Sequence, residues 1–146
     1  VYSLATYADA QFNMNICTYV TAVSMSPKMY AVAVYHNTKT LLNLQNTNTA
    51  ILQLLSSEQI KSVSVLGKKS GNNYNKENYL HKKKLITTWQ GYAVLENSAA
   101  LLLLHKKFVV PSGDHDLFLF DVIKFTTLQE TDILTFSKLI NAGIIL

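Results

Sequence analysis

Three short stretches of this sequence hold residues whose chemistry goes beyond packing. In "VPSGDHDLFLFDV", Val110 to Val122, Asp114, His115 and Asp116 stand at the mouth of an alternating apolar strand. A carboxylate–imidazole pair can ligate a metal, orient a general base, or cap a turn. A metal needs further ligands converging on it, and His36, His81 and His105 are isolated, with no spaced partner. A Ser–His–Asp triad needs a nucleophile on a strained turn, and no G-x-S-x-G is present. The structural alternative is a hairpin in which Asp114 caps the backbone and His115 begins a strand.

The second stretch is "YHNTKT". A strand ends there, and Asn37, Thr38, Lys39 and Thr40 open a helix. The first N–H groups of a helix lack intrahelical partners and sit at the positive end of its dipole, so an anion is favoured there. Two hydroxyls and an ammonium add donors suited to a phosphate, although ordinary N-capping needs the same residues. The third stretch, "NMNICTYVTAVS", sets Asn13, Asn15, Thr18, Thr21 and Ser24 among apolar residues of a core strand. Buried amides and hydroxyls need partners. Those partners are one another, nearby turns, or a flat heteroaromatic ligand rich in acceptors.

Strands and short helices must position these residues. "VYSLATYADAQFNMNICTYVTAVSM" reads as two strands joined by the polar turn "ADAQ", and "MYAVAVYH" as a third after the turn at Pro27. "NTKTLLNLQN" changes to helical spacing, "TAILQLL" is a strand, and "SSEQIKSVSVLG" is a helix stopped by Gly67. From Lys68 to Trp89 the sequence has little period and reads as a long mobile excursion. "YAVLENSAALLLLHKKFVV" and "DLFLFDVIKF" are strands linked at Pro111–Ser112–Gly113. "QETDILTFSKLINAG" closes as a helix capped by Thr131 or Asp132 and ended by Gly143. The sum is one barrel-like, mainly β domain over residues 1–146.

Composition narrows the function. Charged residues make up 15% of the 146, low against the ~25% of ordinary domains. Both faces of "DLFLFDVIKF" are largely apolar, so this strand is expected to be covered on both sides. A lean surface and a doubly apolar strand together favour a homodimer. All 13 cationic side chains are lysine, which removes bidentate reading of bases. The run Lys82–Lys83–Lys84 is read as a solvated loop, and no nucleic acid is expected. The single cysteine, Cys17, excludes an internal disulfide and fits a reducing cytoplasm. No apolar run approaches a membrane span, and no signal peptide is visible, so neither membrane nor export is expected.

Taken in order, the stretches resemble the flavin reductase-like family, the FMN-binding split barrels. The family's Asn/Thr strand matches "NICTYVTAVSMSP", with Asn15, Thr18 and Pro27. Its strand and Ser/Thr/Lys helix start match "AVAVYHNTKTLLNL". Its Ser-Gly segment followed by Lys matches "KKSGNNYNKENYL", and its Gly-Asp-His strand matches "SGDHDLFLFDV". The resemblance runs from about Tyr2 to Phe125. Two departures stand out. Gln53 replaces an asparagine frequent in relatives, keeping the amide, and a cysteine common before the Gly-Asp-His strand is absent from "SAALLLLHKK".

The resemblance implies an antiparallel split β-barrel with a few peripheral helices. It implies an FMN cofactor, with FAD as the alternative, and NAD(P)H as co-substrate. Hydride passes from the nicotinamide to the flavin, and electrons go on to a further acceptor, which can be a protein. Asn15, Cys17, Thr18 and Tyr19 would line the flavin ring, and Gln53 would add its amide. Asn37, Thr38, Lys39 and Thr40 would hold the phosphate. His115 would lie beside the flavin or nicotinamide as the catalytic residue, and the flavin would sit near the dimer interface. Two alternatives compete with this reading: a flavin-binding electron carrier without fast NAD(P)H turnover, and a split-barrel module without flavin.

Overall fold

The computed structural model describes residues 1–145. β1 (Tyr2–Ala8) and β2 (Gln11–Cys17) form a hairpin. Asp9 and Ala10 make its two-residue turn with φ of 53° and 58°, the left-handed pair whose twist suits a tight hairpin. β3 (Val20–Met25) and β4 (Lys28–Tyr35) follow, then α1 (Lys39–Asn46) and β5 (Thr49–Leu54). After a 3-10 turn at Ser57–Gln59 come α2 (Ile60–Lys68), α3 (Lys76–Lys82), β6 (Ile86–Trp89) and β7 (Tyr92–Leu95). Two long strands, β8 (Ala100–Ser112) and β9 (His115–Thr127), precede α4 (Phe136–Asn141). No helix among the described residues is long and apolar enough to cross a membrane.

Seven strands form one antiparallel sheet in the order β2-β1-β5-β8-β9-β4-β3. Its two edge strands, β2 and β3, are consecutive in sequence, joined only through Thr18 and Tyr19. A link that short spans about 10 Å at most, so the sheet must roll until its edges meet. The chain itself holds the roll there, and Ala33 N donating to Tyr19 O at 3.0 Å extends the β3–β4 ladder into the crossing. The expected mainly β, split-barrel architecture with peripheral helices is the observed one.

Adjacent residues on the central strands serve two cores. Leu4, Leu52, Leu102 and Leu104 point inward with Phe118 and Phe120. Their neighbours Ala5, Ile51 and Leu101 pack outward beneath Val63 and Leu66 of α2, Leu80 of α3 and Leu139 of α4. Within this chain, the strand expected to be covered on both faces is covered on one. β9 buries Phe118 and Phe120 but leaves Ile123 61% and Phe125 56% exposed. The helices that mask the second face lie over β1, β5 and the first half of β8 instead.

Other differences have local causes. The long first stretch holds three strands, because β2 breaks off at Thr18–Tyr19 to cross to the other edge of the sheet. The mobile excursion of residues 68–89 contains α3 and β6. Asn75 caps α3 through its side chain, accepting from Asn78 N at 2.9 Å, and its buried residues are Lys76 and Leu80. A seven-residue helix with one buried leucine has no readable period. "YAVLENSAALLLL" breaks at Asn97, where φ is 63°, and its first part pairs with β6 in a separate two-stranded sheet. The β8–β9 ladder runs to Ser112↔His115, so the turn is Gly113–Asp114. α4 starts after Thr135, which accepts from Lys138 N, and not at Asp132, whose φ of 57° cannot join a helix.

Candidate cofactor cleft

Where β2 parts from the strands that follow it, a cleft of about 230 Å³ opens. β2 contributes Asn13 and Asn15, Tyr35 ends β4, and Asn37 to Thr40 come from the start of α1. The opposite wall is the end of α2 and the loop after it, Gly67 to Gly71, with Lys76 of α3. These elements meet through buried amides. Thr6 Oγ1 donates to Asn13 O at 3.5 Å and accepts from Asn43 Nδ2 at 3.0 Å, while Asn13 Nδ2 donates to Thr40 Oγ1 at 3.2 Å. The polar residues of the core strand therefore anchor α1 to the β1–β2 hairpin.

The helix start divides its labour. The Thr38 hydroxyl accepts from Leu41 N at 3.2 Å and donates to Tyr35 O at 2.8 Å, so both its roles are internal. Thr38 is a cap and has no proton left for a ligand. Among the described residues, the N–H groups of Lys39 and Thr40 have no acceptor, and they are free to bind an anion. Asn37 takes φ 61°, and its carbonyl accepts from Asn72 Nδ2 at 3.1 Å, which ties the facing loop to this turn. Sequence reading of "NTKT" missed that opposite wall. Its signal was the run "KKSG", which brings Lys68, Lys69 and Ser70 to the cleft.

The approach is close. A Cβ built on Gly71 would lie 2.3 Å from Asn13 Oδ1 and 2.9 Å from Lys39 Cβ. Only glycine lets the loop backbone seat against β2 and α1 together. A second polar cavity of about 230 Å³ lies on the far side of this contact, and it shares Asn13, Lys39, Gly71 and Lys76 with the first.

The remaining residues fall into two groups. Thr18 and Tyr19 are exposed at the crossing between the sheet edges. Cys17 beside them is buried in the inner core, and burial pushes its thiol up to about 12. It remains a thiol, so any contact it makes with a ligand is through its backbone. His115 stacks obliquely between Tyr19 and Tyr35, with ring centres 5.4 and 5.2 Å away. Because Tyr35 also lines the cleft, one ring separates His115 from it. Nδ1 of His115 lies 2.6 Å from Asp114 Oδ1. That hydrogen bond holds the Asp114 carboxyl below its usual range and leaves Nε2 as the free ring nitrogen. Asp116, on the opposite face by strand alternation, meets His36 Nε2 at 2.9 Å. Asp114, in the turn, bonds its neighbour His115, and Asp116, on the other face of β9 from His115, bonds His36, so the two carboxylates serve different imidazoles, and no three His, Cys, Asp or Glu side chains among the described residues converge on one point.

Gln53 is not brought to the cleft. It is fully buried, its Nε2 turned to Ser3 Oγ at 3.3 Å and Met14 Sδ, and its Oε1 accepts from Leu95 N at 2.6 Å. Its amide stitches β1 and β5 to β7, away from the cleft lining that the other expected cofactor residues share.

The family model described as "Flavin reductase like domain" matches residues 1–138. No curated protein matches in sequence. Several solved structures share the fold. An FMN-binding protein from Thermus thermophilus with bound 1-cyclohex-2-enone is 21% identical and aligns over 86% of this chain and 68% of its own, with a TM-score of 0.77. Flavoredoxin from Methanosarcina acetivorans is 14% identical over 94% of this chain and 80% of its own, with a TM-score of 0.79. An NADH:FAD oxidoreductase from Streptomyces globisporus is 17% identical over 86% and 73%, with a TM-score of 0.75.

Proposed function

The chain belongs to the flavin reductase-like family, and we propose that it binds a flavin by its phosphate in the cleft and reduces it with a nicotinamide. The observation that carries this reading is the donor set at the start of α1. Two free N–H groups and the Lys39 ammonium face the lysines and serine of the opposite loop, and no carboxylate among the described residues lines the cleft. Such a set fits a phosphate dianion. FMN, a phosphate monoester, carries that dianion, whereas each phosphorus of FAD carries a single charge, so FMN is the proposed cofactor and FAD the alternative.

Lys39, the Thr40 N–H and the turn at Asn37 would hold the phosphate. The flavin chain would then run past Asn15, and its ring would lie over the exposed Thr18–Tyr19 crossing. The bound flavin supplies the hydride-accepting chemistry. The protein's part is to fix the ring, to hold the His115 imidazole between Tyr19 and Tyr35, and to keep its proton on the Asp114 side. His115 would meet the nicotinamide, and the reduced flavin would serve a further acceptor.

A second copy of this chain is the proposed cover for the bare face of β9. Ile123 and Phe125 are exposed there, the Lys28 ammonium lies 4.2 Å from the centre of the Phe125 ring, and His115 begins the same strand. Burying that face in a homodimer would bring the interface to the ring end of the flavin site.

The test is the visible spectrum of the purified protein given FMN, followed by anaerobic stopped-flow mixing with NADH and NADPH. Flavin absorbance that bleaches rapidly with either nucleotide is expected. Bound flavin that does not bleach makes the protein a carrier, and failure to bind flavin at all overturns the reading. Sedimentation equilibrium at micromolar concentration checks the dimer, and a flavin-loaded monomer of 16.4 kDa would refute it.

A further inference from the structure

His36 stands between Tyr35, which ends β4, and Asn37, whose φ of 61° turns the chain towards α1. It sends two hydrogen bonds to the start of β9 and the turn before it. Its backbone N–H donates to Asp114 O at 3.0 Å, and its ring Nε2 donates to Asp116 Oδ1 at 2.9 Å. The residues after it are occupied elsewhere. Asn37 O serves Asn72, and the Thr38 hydroxyl serves Tyr35 and Leu41. Among the described residues that link β4 to α1, only His36 is bonded to this end of β9.

Asp116 explains why the bond forms. It faces Val34 in the β4–β9 ladder and shares the inner face with Phe118, and both those neighbours are buried. Its own side chain is 23% exposed, and His36 is its one hydrogen-bond partner among the described residues. A partly buried carboxylate at the end of an apolar row needs such a donor. One residue back along β9, on the other face, His115 packs on Tyr35. One residue on from His36, the chain enters the turn that opens α1. The pair therefore spans the two places where the imidazole and the anion-binding helix start are held, and neither member lines the cleft.

We propose that His36 and Asp116 are a positioning pair for hydride transfer, fixing the α1 start relative to His115. The inference rests on the flavin reading, in which α1 holds the phosphate and His115 meets the nicotinamide. Breaking the pair leaves each of those sites intact and lets one shift against the other. Such a shift acts on the transfer step, where about 1 Å of misplacement can cost as much as a hundredfold. The competing role is that of a plain stability contact at the end of the β4–β9 ladder.

His36→Ala, Asp116→Ala and the double variant are loaded with FMN and mixed anaerobically with saturating NADH or NADPH. The bleaching rate is read per bound flavin, beside FMN and riboflavin titrations and thermal melts. Each single variant should bleach about tenfold more slowly, with both flavin affinities within about threefold of the parent. The double variant should be no slower than the singles, because the two residues act as one unit. His36→Gln, which keeps an N–H of similar reach, should recover most of the rate.

Unchanged rates in both single variants overturn the proposal. Losses that multiply in the double variant also overturn it, since the residues then act separately. A lower melting temperature and flavin content with an unchanged rate per bound flavin overturn it in favour of the stability contact. If the parent binds no flavin or does not bleach, the flavin reading fails instead. Amide hydrogen exchange of the flavin-free protein then decides. Faster exchange confined to residues 36–40 and 114–116 in His36→Ala, reversed in His36→Gln, supports the pair. Unchanged exchange there, or faster exchange throughout the sheet, overturns it.

Discussion

The Cα of Gly71 rests against the side chain of Asn13, so close that an added Cβ would stand 2.3 Å from Asn13 Oδ1. That oxygen belongs to a buried amide fixed by its hydrogen bond to Thr40, so it has little room to retreat. Gly71→Ala should therefore lift the loop off α1 and lower flavin affinity about tenfold or more, with a loss of stability of roughly 1 to 3 kcal/mol for overpacking. Flavin titration and chemical denaturation check both effects. Full affinity in Gly71→Ala would mean that the loop does not close on the ligand.

Replacing Lys39 and Thr40 together by alanine should weaken FMN by roughly 2 to 5 kcal/mol, from one charged and one neutral hydrogen bond. Riboflavin, which lacks the phosphate, should bind nearly as before. Because the Thr40 hydroxyl also accepts from Asn13, Lys39→Ala alone is the cleaner control for folding. Parallel losses for FMN and riboflavin in the titration would place the phosphate elsewhere.

His115→Asn should slow flavin reduction while leaving FMN affinity within about threefold, or roughly 0.65 kcal/mol. A contact made only with the hydride donor acts on the transfer step and not on resting flavin binding. If His115 serves only as packing between Tyr19 and Tyr35, melting temperature and flavin content will fall together instead. Anaerobic stopped flow and thermal melting, run on the same sample, tell these apart.

The stability of the flavin-free protein should depend on pH through Lys76. Burial lowers its folded-state value from 10.5 to about 8. Below about 8 both folded and unfolded states carry the proton, and the cost of burying charge is fully present. Between about 8 and 10.5 the folded state releases the proton first, so this cost is relieved as pH rises. Cys17 acts in the opposite sense above its unfolded value of 9.0, because its folded thiol keeps its proton longer. Comparison with Lys76→Met cancels that contribution. The variant should be the more stable at pH 7, with its advantage shrinking towards pH 10. A constant difference across that range, measured by urea denaturation, would show that Lys76 is not charged at a cost.

Ala10 offers a simpler check of the hairpin. It holds a φ of 58° that costs an L-residue about 1 to 2 kcal/mol, and glycine avoids that cost while losing some unfolded-state entropy. Ala10→Gly should gain about 0.5 to 1 kcal/mol in a melt, with flavin binding unchanged.

Much of this was legible before any coordinates. Alternating and doubly apolar runs marked most of the strands, and "NTKT" marked a real helix start beside a real cleft. What was hidden was hidden for physical reasons. The double coverage of β1, β5 and β8 looks in sequence like the half-coverage of β9, since an apolar face reads the same whether a helix or water lies above it. Gln53 and Asn13 are both amides in core strands, and only the fold reveals that one is spent on Leu95 while the other borders the cleft. The opposite wall lies in a stretch without period, and nothing in the sequence around Lys68, Lys69 and Lys76 shows that it folds back on α1. Only one of them, Lys76, is buried, and burial at the start of a short polar helix leaves no periodic trace.

The strand order also governs when the cleft can exist during folding. β1 and β2 meet locally, as do β3 and β4, but these halves join the same sheet only through β9, which pairs with β4 across some eighty residues of chain. Pairing over such separation is slow relative to local hairpins. Until it forms, Asn13 and Asn15 have no reason to face Tyr35 and Asn37. Capture of flavin by a refolding chain should therefore lag behind hairpin formation and keep time with the slowest step. The ligand would act as a clock for completed topology.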